Sequence, residues 1–310
     1  MTPTGTLSGK RILVTGPTGM VAKPVCRSFA KENEVYAAAR FSDAGAKEDL
    51  EAAGVTCVSV DLTNGDLSQL PDQIDYVCNF AVVKSNRWDI DLEANVGGLG
   101  LLMEWASNAG AQAFFHCSSG ACYAVNPHTP LKEDAPLGDN HAVFTFMSTY
   151  SISKIGAEAM ARYAAKRFNL PTTIARLNVP YGDDGGWPAI HLEMMLGGMA
   201  VPVHTDAPTS YNLLHADDIV ATVPRLLEIA TVPATIVNWA GDDVVSIEEW
   251  VAYLSELTGL DGKTEQTAQT LASNVMDLTK MHELVGRSSV PWRDGVRRLV
   301  EARHPELLNR

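Results

Sequence analysis

The sequence predicts an α/β fold in which a doubly wound parallel sheet is followed by a smaller C-terminal lobe. Short apolar runs alternate with longer helical patterns between residues 11 and 176, which is typical of βαβ units with right-handed crossovers. These runs are almost uniformly apolar, so helices are expected to cover both faces of the sheet. A length of 310 residues is compatible with one large α/β domain and an added lobe.

The predicted elements follow this alternation and then become irregular. Strands are predicted at 11–15, 34–39, 55–60, 76–81, 113–118 and 172–176, with helices near 20–31, 45–53, 91–109 and 149–168. After residue 178 we predict a loop at 181–188, a Met-rich helix near 189–198, short strands near 201–203 and 211–215, and helices near 217–230, 246–258 and 292–303. The chain is therefore divided into a domain at 1–178 and a lobe at 179–310, with segments at about 211–240 returning to the first domain.

The charge of the chain indicates what kind of partner it binds. Its 24 Lys and Arg residues against 37 Asp and Glu residues give a net charge of −13. Such an acidic chain has no general field that attracts nucleic acid or anionic lipid, so a small-molecule partner is expected.

The cysteines indicate whether the protein contains disulfides or a metal site. Five cysteines, mostly in apolar segments and without a CxxC pair, indicate reduced structural thiols rather than disulfides or a zinc site. The acids that follow His215 suit the first turn of a helix, and no metal site is predicted.

No apolar run approaches the length of a membrane span, so we expect a soluble, cytoplasmic protein.

A glycine-rich turn joins the first predicted strand to the first helix. Gly16 and Gly19 leave room for backbone N–H groups to approach a pyrophosphate at a helix N-terminus, and Ala22 allows close packing of helix on sheet. Such turns also occur as simple connections, but this one directly follows the first apolar strand of a βαβ series. The predicted dinucleotide contacts in this turn are Gly16, Thr18, Gly19, Met20 and Val21.

Arg40 follows the second strand, where NAD-binding sheets carry an acid for the ribose 2′-hydroxyl. A guanidinium suits a 2′-phosphate, so NADP(H) is predicted as the preferred cofactor, with NAD(H) as the second choice. The alternative for Arg40 is a solvated arginine at the end of a strand. Asp61 is the candidate adenine contact or a plain loop acid. The remaining predicted cofactor contacts are Leu62, Phe80, Ala81, Tyr150 and Lys154.

Tyr150 and Lys154 are one helical turn apart on the same face of a predicted helix. A hydride-transfer enzyme must move a proton with the hydride, and a nearby ammonium stabilises the phenolate that such a step needs. The spacing alone also fits a surface pair. The context favours function, because this helix follows the fifth strand, which ends in Ser118 and Ser119 where open α/β sheets bind ligands; an ordinary polar turn is the alternative.

These residues together resemble the extended short-chain dehydrogenase/reductase family, which includes nucleotide-sugar epimerases and dehydratases. The resemblance covers nearly the whole chain and rests on Thr15-Gly16-x-x-Gly19-x-x-Ala22, Asp61-Leu62, Asn79-Phe80-Ala81, the segment from Asn95 to Leu102, Ser118-Ser119 with Tyr123, Tyr150-x-x-x-Lys154, Arg176 to Gly182, His215 to Asp218, and Asp277 to Lys280.

The resemblance implies a Rossmann-type domain that carries the catalytic residues, a substrate-binding lobe and a homodimer formed through the 91–109 and Tyr150 helices. Tyr150 becomes the general acid/base, Lys154 its partner that also binds the nicotinamide ribose, and Ser119 the hydroxyl that orients the substrate carbonyl. Asn95 matches a helix asparagine that supports a proton-relay water.

The sequence departs from the family pattern at Tyr211, where sugar-nucleotide members carry an arginine that binds the diphosphate. A phenol replaces that charge-assisted contact poorly, which weakens the sugar-nucleotide interpretation. The candidate substrate-binding residues are Ser119, Asn178, Trp187, His191 and Tyr211, although Met and aromatic residues of the lobe also fit a simple core.

The leading hypothesis is therefore an NADP(H)-preferring oxidoreductase that interconverts a carbonyl and an alcohol on a small molecule. The alternative is a UDP-sugar 4-epimerase or dehydratase with tightly bound NAD. A third hypothesis, a nucleotide sensor without activity, is disfavoured because Ser119, Tyr150 and Lys154 are all present.

Overall fold

A computed structural model of the chain describes residues 7–63 and 65–308. Within these residues the strands are β1 (Arg11–Thr15), β2 (Glu34–Ala39), β3 (Thr56–Ser59), β4 (Tyr76–Asn79), β5 (Ala113–Ser119), β6 (Thr172–Leu177), β7 (Val179–Gly182), β8 (Gly185–Gly186), β9 (Val201–His204), β10 (Ser210–His215), β11 (Thr235–Trp239), β12 (Val244–Ser246) and β13 (Thr264–Thr267). The helices are α1 (Ala22–Phe29), α2 (Ala44–Ala52), α3 (Trp88–Leu92), α4 (Gly98–Asn108), α5 (Tyr150–Arg167), α6 (Trp187–Leu196), α7 (Ala216–Glu228), α8 (Ile247–Thr258), α9 (Thr279–Leu284) and α10 (Trp292–Arg303).

The central sheet has seven strands in the order β11-β6-β5-β4-β1-β2-β3, and every neighbouring pair is parallel. The strand order reverses between β1 and β4. Crossover connections leave this point in opposite directions, so a crevice opens there at the carboxyl edge of the sheet. The predicted α/β fold with a doubly wound parallel sheet is confirmed.

Two cores cover the two faces of this sheet because successive strand residues point to opposite sides. Val14 of β1 belongs to a core with Val25 of α1 and Ile219 of α7, whereas the preceding Leu13 belongs to a core with Leu102 of α4. The uniformly apolar strands seen in the sequence are therefore buried on both faces, as predicted.

The C-terminal half contains a four-stranded sheet in the order β12-β10-β7-β8, a two-stranded sheet of β9 and β13, and a third core around Trp250. Segment 211–240 is shared: β10 pairs with β7 and β12, whereas α7 packs on the main sheet and β11 completes it. The domain boundary at residue 178 stays a prediction.

One local prediction was wrong. The segment 181–188, predicted as a loop, forms the end of β7, the strand β8 and the start of α6. Gly185 and Gly186 have φ of 134° and 114°, and a Cβ at Gly186 would lie 2.6 Å from the Pro180 carbonyl oxygen, so only glycine allows this close pairing. The helix predicted near 91–109 is present, and it contains a π-helical turn at Glu93–Gly97 between α3 and α4.

No helix among the described residues is long and apolar enough to cross a membrane.

His304, just after α10, connects the C-terminal segment to α6. Its Nε2 lies 2.9 Å from Glu193 Oε1, and this hydrogen bond raises the pKa of the imidazole above its usual value. Because the folded protein binds this proton more tightly than the unfolded chain does, protonated His304 stabilises the fold. The stabilisation is fully present below the imidazole pKa of the unfolded chain, about 6.5, and it disappears as pH rises through the pKa of the folded protein.

We expect His304→Gln to lower the free energy of unfolding by about 0.2–1 kcal/mol near pH 5.5 and to have little effect near pH 8.5. Chemical denaturation at both pH values measures this difference. Glu193→Gln should reduce the same pH dependence without abolishing it, because Glu306 also lies 3.2 Å from His304 Nδ1. An equal loss for His304→Gln at both pH values would contradict the assignment.

Candidate active site

The turn after β1 approaches the neighbouring strand connection more closely than a side chain would permit. Gly16 has φ of 65°, and a Cβ there would lie 3.0 Å from the backbone N and Cα of Ala81. Gly19 N donates to Gly16 O and closes the turn before α1 begins. The turn thus presents bare backbone at the switch point of the sheet, which suits a dinucleotide pyrophosphate.

A crevice lies beside this turn and is lined by several of the predicted cofactor residues. Gly16, Thr18, Arg40, Asp61, Leu62 and Ala81 all contribute to its wall. Gly19, Met20 and Val21 lie in the turn before α1, outside that wall. The ring of Phe80 points into the core, 5.2 Å from that of Phe115, so only its backbone lies near Gly16.

Arg40 follows β2 at the wall of the crevice, next to Phe41 and Ser42. Its side chain is exposed, and among the described residues no carboxylate lies within 4 Å of the guanidinium. Asp61 accepts hydrogen bonds from Thr63 N (3.0 Å) and Thr63 Oγ1 (2.7 Å), which lower the pKa of its carboxyl, with a smaller contribution from the Arg40 charge. The guanidinium is therefore available to an anionic group in the crevice.

A buried chain of hydrogen bonds fixes the floor of the crevice. Thr15 Oγ1 accepts from Ala81 N at 3.2 Å and donates to Asn79 Oδ1 at 2.5 Å. Asn79 Nδ2 in turn lies 3.0 Å from His116 Nδ1. Burial, followed by the Lys154 charge, lowers the pKa of His116 well below its usual value, so this imidazole is neutral. The network holds Ala81 against Gly16.

The predicted catalytic residues come from the end of β5 and the start of α5. Tyr150 is the first residue of α5 and is partly exposed, whereas Lys154 is 5% exposed and donates from Nζ to Cys117 O at 2.8 Å. Ser119 ends β5, and its Oγ accepts from Ala121 N at 3.1 Å. Lys154 thus connects the Tyr150 helix to the strand that ends at Ser119.

Asn95 lies in the π-helical turn, where its amide binds the loop after β4. Its Oδ1 accepts from Val83 N and its Nδ2 donates to Val83 O, both at 2.8 Å. This geometry supports a role in holding the loop at 81–87. The water-relay role that the family resemblance implies stays a prediction.

Two residues near Tyr150 are not among those that the sequence predicts. Lys84 Nζ lies 5.8 Å from the centre of the Tyr150 ring, and burial followed by the Lys154 charge lowers its pKa. The His141 ring lies 5.0 Å from the same ring, and burial followed by the Lys84 charge lowers its pKa to about 4. Lys84 could have been found because it follows a strand at the carboxyl edge of the sheet, whereas His141 lies in an irregular stretch without a local signal.

Two of the predicted substrate residues are core residues of the lobe. Tyr211 is 3% exposed, and its hydroxyl donates to Ala272 O at 2.8 Å. His191 stacks on Trp250 and lies 2.9 Å from the Trp250 indole nitrogen, which donates to it, and burial lowers its pKa to about 4. Because both side chains are packed and hydrogen-bonded internally, neither is included in the site that we propose.

Asn178 and Trp187 have more open positions. Asn178 Nδ2 donates to Asn274 O at 2.9 Å, and Asn274 Nδ2 donates to Gly120 O at 2.9 Å. This pair of contacts connects the start of the lobe to the residue after Ser119. Trp187 begins α6, is partly exposed and packs edge-on against Tyr211.

A crevice at the switch point of the sheet, with Ser119 at the neighbouring strand end and Tyr150 and Lys154 on the helix that follows, is the arrangement expected of one class of enzyme, the extended short-chain dehydrogenases/reductases. A model of the NAD dependent epimerase/dehydratase family matches residues 12–239. The chain belongs to this family, and the resemblance inferred from the sequence is confirmed.

Known relatives are similar over most of the chain. Protein CapI of Staphylococcus aureus is 25% identical, covering 75% of this chain and 73% of that protein. The dTDP-D-glucose 4,6-dehydratase of Mus musculus is 22% identical, covering 94% of this chain and 88% of that protein.

Solved structures share the fold. UDP-glucuronic acid 4-epimerase of Bacillus cereus, in complex with UDP-glucuronic acid and NAD, has a TM-score of 0.81 at 20% identity, covering 94% of this chain and 98% of that one. DesIV of Streptomyces venezuelae, a dTDP-glucose 4,6-dehydratase with NAD bound, has a TM-score of 0.79 at 22% identity, covering 94% and 96%.

Proposed function

We propose that this protein is an NADP(H)-preferring oxidoreductase that interconverts a carbonyl and an alcohol on a small molecule without a diphosphate group. One observation carries the proposal. Lys154, on the same helix as Tyr150, donates a hydrogen bond to Cys117 O in the strand that ends at Ser119, and a crevice suited to a dinucleotide lies at the neighbouring strand end. The nicotinamide, when bound, supplies or accepts a hydride. The chain itself must bind the substrate oxygen and move one proton.

Each residue has a separate role in this proposal. Tyr150 donates its phenolic proton to the substrate oxygen during reduction, or accepts a proton during oxidation. The Lys154 ammonium stabilises the phenolate by its charge, and its contact with Cys117 O holds it in place. The Ser119 hydroxyl, which already accepts from Ala121 N, can donate its proton to the substrate oxygen and polarise the carbonyl.

Arg40 supports NADP(H) as the preferred cofactor. Because it lies at the crevice wall without a carboxylate partner among the residues described, a 2′-phosphate can form a charge-assisted contact with its guanidinium. We expect wild-type protein to bind NADPH about 10- to 100-fold more tightly than NADH and Arg40→Asp to abolish or reverse this preference. Titration with each cofactor, followed by nicotinamide fluorescence, measures both dissociation constants.

Arg297→Asp is the matched control, because it makes the same change of net charge at an exposed position on α10. It should leave the NADPH preference as in wild type. A wild-type protein that binds NADH as tightly as NADPH would refute the assignment of Arg40.

A second candidate function is a UDP-sugar 4-epimerase or a dehydratase that keeps NAD bound. The similarity to Bacillus cereus UDP-glucuronic acid 4-epimerase and to the dTDP-D-glucose 4,6-dehydratases favours it. The packing of Tyr211 argues against it, because the phenol that replaces the family's arginine is buried and already hydrogen-bonded, which leaves a diphosphate without that cation.

One assay separates the two candidates. Conversion of a UDP- or dTDP-sugar without added cofactor and without net redox change supports the epimerase or dehydratase. Stoichiometric consumption of NADPH with a panel of ketones and aldehydes supports the oxidoreductase.

We also propose a cytoplasmic homodimer. The family resemblance implies pairing through the 91–109 and Tyr150 helices, and these helices expose one large side chain each, Leu101 on α4 (40%) and Tyr163 on α5 (61%).

A further inference from the structure

Asp91 on α3 is fully buried, and the proposed chemistry gives its carboxylate no role. Its oxygens accept four hydrogen bonds, from Ser85 N (2.8 Å), Ser85 Oγ (2.7 Å), Asn86 N (3.1 Å) and Thr149 Oγ1 (2.6 Å). Among the described residues no Lys, Arg or His nitrogen lies within 4 Å of it. A buried anion without a cation is uncommon and requires an explanation.

The hydrogen bonds account for the charged state. Burial by itself raises the pKa of a carboxyl, but the contacts from Thr149 and Ser85 outweigh it, and the pKa of Asp91 is lowered. The carboxylate therefore keeps its charge and binds its four donors strongly, since hydrogen bonds to ionised acceptors are stronger than neutral ones.

The donors come from two separate segments, and each segment carries a group near the reaction centre. Ser85 directly follows Lys84, and Thr149 directly precedes Tyr150. The 5.8 Å contact of Lys84 Nζ with the Tyr150 ring joins the same two segments. Asp91 thus binds the loop of Lys84 with one set of contacts and the start of α5 with another.

Asn86 adds a second connection between these segments. Its side-chain oxygen accepts from Ser148 N (3.0 Å) and Ser148 Oγ (2.7 Å), and its amide nitrogen donates to Thr145 O. The backbone N–H of Asn86 is itself one of the donors to Asp91. The carboxylate is therefore the buried centre of the contacts that hold residues 84–86 against residues 145–149.

We propose that Asp91 is a positioning residue that fixes the Tyr150 phenol relative to Lys84 through its hydrogen bond with Thr149. This inference rests on the proposed function only in taking Tyr150 as the proton-transfer group, which holds for both candidate reactions. A displacement of about 1 Å at a reacting group can cost about 10²-fold in rate, so loss of this contact should reduce turnover more than binding.

The sharpest test changes Thr149, because this leaves the carboxylate and its other three donors in place. Thr149→Val removes the hydroxyl while nearly preserving the shape of the side chain, and Thr149→Ser restores the hydroxyl. Thr145→Val makes the same chemical change at an exposed threonine of the same segment and is the matched control. Asp91→Asn tests the carboxylate directly but risks unfolding, so it is secondary.

Two measurements are made on each variant. Steady-state kinetics, in whichever of the two candidate reactions the wild type catalyses, give kcat and KM. Hydrogen exchange of segments 83–87 and 141–150 reports whether the two segments still stabilise each other, and it does not depend on activity.

We expect Thr149→Val to lower kcat about tenfold or more with KM changed less than about twofold, and to speed exchange in both segments. Thr149→Ser and Thr145→Val should stay close to wild type in both measurements. Equal kcat for Thr149→Val and Thr149→Ser, or unchanged exchange in the 83–87 segment, would overturn the inference. If the wild type catalyses neither reaction the proposed function fails, and the exchange rates alone then decide whether Asp91 joins the two segments.

Discussion

Replacing Tyr150 with Phe is expected to lower kcat by about 10²- to 10⁴-fold, because the variant loses the proton donor while keeping the ring. The ring packs beside His141 and Lys84, and these contacts do not need the hydroxyl. The NADPH dissociation constant should therefore change by less than about threefold. Steady-state rates and fluorescence titration of the same preparations measure both quantities.

Tyr163→Phe is the control, because it removes a hydroxyl from an exposed tyrosine on the same helix. It should have wild-type kcat. Full activity in Tyr150→Phe would remove the phenol from the mechanism, and another group would then have to transfer the proton.

The largest stability effect is expected at a buried ion pair behind the end of β5. Glu158 on α5 and Arg176 on β6 form two parallel hydrogen bonds of 2.9 and 2.7 Å, and their side chains are only 4% and 3% exposed. Glu158 Oε1 also accepts from Ser118 Oγ at 2.6 Å, directly before Ser119. Arg176 donates further to Glu133 O and lies over the Tyr123 ring.

We expect Glu158→Gln to lower the free energy of unfolding by about 3–5 kcal/mol, because it leaves the Arg176 guanidinium buried without its counter-charge. Chemical denaturation measures the loss. The double variant Glu158→Leu with Arg176→Met should recover much of it, since an apolar pair leaves no buried charge.

Glu104→Gln, at an exposed position on α4, is the control for loss of one carboxylate and should change stability by less than about 0.5 kcal/mol. A Glu158→Gln protein as stable as this control would show that water or a rearranged partner solvates Arg176.

The features that the sequence predicted well depend on local patterns. The strands β1, β2, β4, β5 and β6 lie within a few residues of their predicted positions, because runs buried on both faces are apolar along their whole length. The Gly16 turn is predicted because a glycine directly after the first strand lets another backbone approach closely. The structure confirms this close approach, since a Cβ at Gly16 would lie only 3.0 Å from the Ala81 backbone. The cofactor preference, by contrast, still rests on the single residue Arg40.

The features that were missed are contacts between distant segments. Trp187, Tyr211 and His191 are predicted as substrate residues, with a simple core as the strong alternative. The stacking of His191 on Trp250 and the hydrogen bond from Tyr211 to Ala272 O place these two side chains in the core. The β7–β8 hairpin was missed because the glycines that permit it also mark ordinary loops.

The sequence by itself determined the doubly wound sheet, the crevice turn and the Tyr150–Lys154 pair, because each depends on residues within one strand, turn or helical turn. Only the tertiary structure decided which side chains meet Tyr150. Lys84 and His141 approach its ring from loops far apart in the chain, and the buried Asp91 joins Ser85 to Thr149 across 64 residues. Periodicity reports which face of an element is buried, whereas such contacts depend on how separate elements pack against one another.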